Sequence, residues 1–168
     1  MIRQFLGEDH SRLANLLRRA EAQLPQIDQV AYAEFRAGLL KHIAMEEKVL
    51  LPTVQKLNGG KPLPIAAKLR RDHGALAALL VPSPTKLIIA ALNGILTAHN
   101  AFEEGPGGVY EISERLLGDK AGALLGRLRA VPEVKVSRYN NGPVVFDAIH
   151  GALARAGYRL EDYQKAVT

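Results

Sequence analysis

Four of the five histidines in this chain fall into two copies of one spacing. The first copy is Asp9-His10, followed by His42 with Glu46 four residues on. The second is Asp72-His73, followed by His99 with Glu103 four residues on. The flanking residues repeat too: DHSRLANLL at 9–17 against DHGALAALL at 72–80, and HIAMEE at 42–47 against HNAFEE at 99–104. Imidazole nitrogen suits iron, zinc, copper and nickel, and a carboxylate can bridge two ions while supplying negative charge. The symmetry of the copies suggests His10 and His42 on one ion, His73 and His99 on the other, with Glu46 and Glu103 bridging. The chain has no cysteine. Thiolate sites and iron–sulfur clusters are therefore excluded, and any metal must be held by nitrogen and oxygen.

Each of these residues sits on the apolar stripe of its own helix. Polar groups at core positions must be paired, protonated or metal-bound. A histidine and a glutamate four apart stack on one helix face, so both can reach a common point. Glu47 and Glu104 are turned about 100° away and are better placed as outer or surface groups. Asp9 and Asp72 read as helix-start caps, with the alternative of fixing an imidazole tautomer. Tyr32 and Tyr110 are within reach of the cluster, though buried tyrosine is more often simply packed. His150 lies outside the repeat and is read as a non-ligand.

The elements that must position these residues follow from periodicity. A helix is expected over 6–24, closed by Pro25, and Asp28 caps the next. That second helix carries Tyr32, Phe35, Leu39, His42, Glu46, Val49 and Thr53 on one stripe, with Pro52 kinking or restarting it. Turn residues at 58–62 and 82–84 bound a third helix, 64–80, and Gly105–Gly108 ends a fourth, 85–104. Short connections make neighbouring helices antiparallel. The expected fold is all-α, an up-down antiparallel four-helix bundle over residues 1–117. A helical extension, 118–168, packs on it, with short helices at 109–117 and 119–129, an extended connector at 131–143 and a last helix at 144–156. The tail 160–168 is expected to fray.

Leu and Ala dominate, aromatics are 5% and Trp is absent, which favours helix. No run of about 18 apolar residues signals a membrane span. The N-terminus does not read as a secretory signal, so a cytoplasmic location is expected. The net charge of +5 is scattered without a basic arm, and nucleic-acid binding is disfavoured. The glycine run at 105–108 lacks the Lys-Ser/Thr of a phosphate loop. Neither the His-Glu-x-x-His pattern of metalloproteases nor the Glu-x-x-His of ferritin-like enzymes occurs.

At DH 9–10, HIAMEE 42–47, DH 72–73 and HNAFEE 99–104, the chain resembles the hemerythrin-like, or HHE cation-binding, family over roughly residues 5–110. The resemblance implies a four-helix bundle around a non-heme di-iron centre, with zinc as a possible substitute. Carried over, the ligands are His10, His42, Glu46, His73, His99 and a carboxylate near 103. The oxygen-carrying hemerythrins have a further histidine where this chain has Ala77. Their last carboxylate spacing would select Glu104, whereas the internal repeat selects Glu103. The missing histidine leaves a metal position open. The expected function is binding or sensing oxygen, peroxide, nitric oxide or iron. The alternatives are a di-iron oxidoreductase acting on peroxide or another small oxidant, and a regulatory module that docks through its C-terminal extension. A protein partner or a homo-oligomer is compatible with each.

Overall fold

The computed structural model describes residues 1–166. Among these, eight α-helices follow one another: α1 (Ile2–Glu21), α2 (Gln29–Met45), α3 (Leu51–Leu57), α4 (Ala66–Leu79), α5 (Lys86–Glu104), α6 (Val109–Leu117), α7 (Ala121–Arg129) and α8 (Pro143–Ala156). No β-strand forms among the described residues. No helix among them is long and apolar enough to cross a membrane.

α1, α2, α4 and α5 make the bundle, and their apolar residues fall into two layers. One layer holds Leu13, Leu17, Tyr32, Phe35, Leu39, Leu76 and Ile95. The other holds Ile2, Leu6, Met45, Leu50, Leu69 and Val109. On α1, α2 and α4 a histidine separates the two, and on α5 His99 follows the first layer's stripe. α1 runs Leu6, His10, Leu13, and α4 runs Leu69, His73, Leu76 in the same sense. α2 runs Leu39, His42, Met45, and α5 runs Ile95, His99 and then Glu103, in the opposite sense. This alternation is the up-down topology, and it sets all four histidines at one level between two dry layers.

Local chemistry sets the boundaries. α1 begins four residues earlier than its periodicity implied, because Ile2 and Leu6 are both fully buried and extend the stripe. It ends at Glu21, ahead of Leu24-Pro25, since proline disfavours helical backbone in the residue before it. Asp28 caps α2 by accepting from the Val30 and Ala31 amides, and Thr85 caps α5 through Ile88.

Pro52 restarts the second helix by a specific route. Residues Glu46–Leu50 form a π-turn, and Leu51 N–H bonds the carbonyl of Glu46 five residues back. Proline has no N–H to give and its ring crowds the carbonyl four residues earlier, so a wider turn ahead of it relieves the clash. The extra residue shifts the phase of the buried stripe. Val54 is fully buried, while Thr53, expected on that stripe, is only half-buried and bonds the Val49 carbonyl.

α6 and α7 close the layer of Ile2 and Leu6, supplying Tyr110, Leu117, Leu124 and Leu128. α8 lies along α4 and contributes Ile149 and Leu153 to the other layer. The connector between α7 and α8 is held by buried Arg36, which donates to the Leu80 and Ser137 carbonyls at 2.6 and 2.7 Å. The tail departs from expectation. Leu160–Ala166 forms a 3-10 segment against α5 rather than fraying, and Tyr163 sits directly over Gly94. Any side chain at position 94 would meet the Tyr163 ring, so the glycine makes the seat. Val167 and Thr168, the rest of that tail, lie outside the described residues.

Candidate metal centre

The four histidines and two glutamates singled out by the repeat converge at the middle of the bundle. Relative exposures are 6% for His10, 4% for His73, 2% for His42 and His99, and 1% for Glu46 and Glu103. Two overlapping groups have donor atoms close enough to share an ion: Glu46, His73, His99 and Glu103, and His10, His42 and Glu103. Glu103 belongs to both.

Every imidazole is oriented the same way. Its Nδ1 faces outward to a carboxylate: His42 to Asp9 at 2.8 Å, His99 to Asp72 at 3.4 Å, His73 to Glu47 at 2.7 Å and His10 to Glu104 at 2.5 Å. A carboxylate accepting from Nδ1–H fixes the tautomer, leaving the Nε2 lone pair for a metal. The aspartates act within their own copy of the repeat and the glutamates act across copies, so the pattern has an internal two-fold symmetry. Asp9 and Asp72 are thus not helix-start caps. α1 and α4 begin at Ile2 and Ala66, which leaves both aspartates well inside their helices, facing the neighbouring histidine. Glu47 and Glu104 face the outward nitrogens of His73 and His10.

The inward atoms lack ordinary partners. His73 Nε2, Glu46 Oε2 and Glu103 Oε1 are buried with no hydrogen-bond partner among the described residues. His73 Nε2 lies 3.1 Å from Glu46 Oε2, and His99 Nε2 lies 3.2 Å from Glu103 Oε1, without hydrogen-bond alignment. His10 Nε2 and His42 Nε2 face each other at 2.9 Å. Leaving such groups orphaned is costly, and a cation at their focus satisfies them together. Oxygen and nitrogen donors in this mix suit a transition metal.

Among the protein groups alone, opposite charges hold each other. Burial disfavours charged His42, but Glu46, Asp9 and Glu103 outweigh it and raise its pKa to about 10. Burial likewise opposes charged His99, and Glu103 and Asp72 raise it to about 10. Burial raises the Glu46 pKa, yet His42 and His73 hold it well below the ordinary carboxylate value. Asp72 has a further support: Lys68 pairs with it and also donates to the Ala156 carbonyl at 3.1 Å and the Tyr158 hydroxyl at 3.0 Å.

One residue in the cluster stands outside the repeat. Tyr110, on α6, is fully buried, and its hydroxyl reaches the centre. It donates to Glu46 Oε1 at 2.7 Å and lies 3.2 Å from Glu103 Oε2, 3.2 Å from His10 Nε2 and 3.5 Å from His42 Nε2. Tyr32 stays in the apolar layer, 5.9 Å from Phe35 between ring centroids. The His150 side chain is 49% exposed and faces Glu161 at 3.7 Å, away from the centre.

Fold and site together define a helical bundle with a buried nitrogen–oxygen cation site. The Hemerythrin HHE cation binding domain family model matches residues 1–105, and the chain belongs to that family. No curated protein and no solved structure gives a significant match. The matched segment contains all six residues of the repeat and stops short of Tyr110.

Proposed function

We propose that this is a non-heme di-iron protein that binds or senses a small ligand, namely oxygen, peroxide, nitric oxide or iron itself. His10, His42, Glu46, His73, His99 and Glu103 are the ligands in this reading, with Glu103 shared by the two ions. One observation carries it: four inward Nε2 atoms, each set by an outer carboxylate, meet two buried glutamates in two groups joined by Glu103. Iron would supply redox chemistry and open coordination positions. The protein supplies orientation, through Asp9, Glu47, Asp72 and Glu104, and exclusion of water, through the two apolar layers. Zinc fits the same donors and can substitute.

Anaerobic iron loading followed by metal analysis and an optical spectrum tests the reading. About two irons per chain are expected, with near-ultraviolet charge-transfer absorption on oxidation. One ion or none per folded chain would overturn it. Stoichiometric binding of a diatomic or peroxide, without turnover, separates a sensor or carrier from an oxidoreductase.

A further inference from the structure

The hydroxyl of Tyr110 sits among four polar atoms of the centre. Glu46 and Glu103 present carboxylate oxygens, and His10 and His42 present the nitrogens opposite to those facing Glu104 and Asp9. A phenol has one proton to give. It can serve only one of the two carboxylates that face it, so as a hydrogen-bond donor it leaves the other short. As an electron-pair donor to a cation it is well matched.

The distances agree. Ligands at right angles around an ion bonded at about 2.1 Å lie roughly 3.0 Å apart. His10 Nε2 lies 2.9 Å from His42 Nε2 and 3.3 Å from Glu103 Oε2, and His42 Nε2 lies 3.7 Å from Glu46 Oε1. Tyr110 Oη is 2.7–3.5 Å from each of these four atoms. Tyr110 Oη is thus at ligand–ligand distance from His10 Nε2, His42 Nε2 and Glu103 Oε2, the three residues whose donor atoms lie close enough to share one ion.

We propose that the Tyr110 phenolate oxygen is a ligand of the ion held by His10 and His42, supplied by a helix beyond the duplicated ligand set. Coordination replaces the phenol proton with the cation, and the proton is released to solvent. No tyrosine among the described residues reaches the His73–His99 group in this way, so the two ions differ in donor set.

This inference rests on the di-iron reading, and one experiment separates their failures. The full chain is loaded with iron, oxidised, and examined by visible absorption and resonance Raman. A tyrosinate-to-iron band is expected in the visible, with ring modes that shift when the protein carries ring-deuterated tyrosine. Tyr110→Phe abolishes the band and weakens one of the two ions, in a chelator titration, beyond the roughly 10–100-fold typical of losing an outer partner. Tyr32→Phe leaves both unchanged. Two bound irons with no tyrosinate band, or an unaltered band in Tyr110→Phe, overturns the inference alone. A chain that takes up no iron overturns the reading beneath it. The isotope shift in the unsubstituted protein decides the matter even if Tyr110→Phe fails to fold.

Discussion

The two lobes of the centre share a plan and differ in what reaches them. Each has a pair of histidines, one from the first helix of its copy and one from the second, and each imidazole leans on an outer carboxylate. The His10–His42 lobe receives the Tyr110 hydroxyl. The His73–His99 lobe receives nothing comparable, and it holds the buried atoms without hydrogen-bond partners, His73 Nε2, Glu46 Oε2 and Glu103 Oε1. Their supports differ as well. Asp9 is backed by Arg12, whose side chain is 49% exposed, whereas fully buried Asp72 is backed by Lys68 and through it by the end of α8. A duplicated set of residues therefore does not make two equivalent surroundings. What decides the difference lies outside the repeat.

The largest effect should come from erasing both lobes at once. If each ion is held about 100-fold above its dissociation constant, removal costs roughly 2.7 kcal/mol per site. Thermal melts with and without chelator at pH 7 should show a clear loss on metal removal. Coincident melts, with removal confirmed, would mean that the imidazole–carboxylate pairs suffice.

Next come the ligands themselves, read by metal content. Glu103→Ala should strip both ions, because both groups use that carboxylate. His42→Ala and His99→Ala should each lose chiefly the ion of its own lobe. Glu104→Ala, which removes only an outer partner, should lower affinity at the His10 side by about 10–100-fold while retaining metal at saturating iron. His150→Ala should change nothing. Equal loss from Glu103→Ala and Glu104→Ala would break the assignment of inner and outer roles.

The outer aspartates sharpen the comparison further. Asp9→Asn should weaken the His10–His42 ion and Asp72→Asn the His73–His99 ion, each by about 10–100-fold and each sparing the other lobe. Lys68→Met should follow Asp72→Asn with a smaller loss. Chelator titration resolved into two steps measures this, and parallel weakening of both steps in either variant would show that the lobes act as one.

The pH dependence has opposite signs with and without metal. In chelated protein, His42 and His99 have pKa values raised to about 10. Their stabilisation is complete below the unfolded value near 6.5 and is lost as pH rises through about 10. Glu46 is depressed, so its share is present above the ordinary glutamate value and lost as pH falls through its folded value. Chelated protein should therefore weaken from neutral towards pH 10. Loaded protein should instead weaken on acidification, since protons compete with metal for the histidines. Denaturant midpoints across pH 5–10 decide it, and parallel profiles would count against the pairing.

The residues that converge at the centre, and the bundle that brings them there, were legible because both are periodic. A histidine and a glutamate four residues apart must share a helix face, and a repeat of that pair on four apolar stripes leaves little room for another arrangement. Asp9 and Asp72 were harder. A residue one position before a histidine is turned about 100° from it, and only the neighbouring helix reveals that it points at the other histidine of its copy. Tyr110 was placed within reach of the cluster, but nothing local set it apart from Tyr32. Tyr110 reaches the site because the turn after α5 is tight enough to send α6 back across the bundle. A Cβ on Gly108 would lie 2.6 Å from the Glu103 carbonyl, so that turn demands glycine. The π-turn was hidden for a related reason. Pro52 announces a disturbance, but its form depends on how the packed chain on either side absorbs one residue.

The grip of Lys68 on Asp72 has a consequence for the order in which the site matures. All six repeat residues have been synthesised by residue 103, and Tyr110 follows seven residues later. Lys68, however, is held by the Ala156 carbonyl and the Tyr158 hydroxyl, which leave the ribosome some fifty residues later. Until then Asp72 has its lysine without the contacts that fix it, and His99 is the least firmly set of the four imidazoles. The support for Asp72, and through it for the outward nitrogen of His99, is therefore complete only once α8 lies along α4.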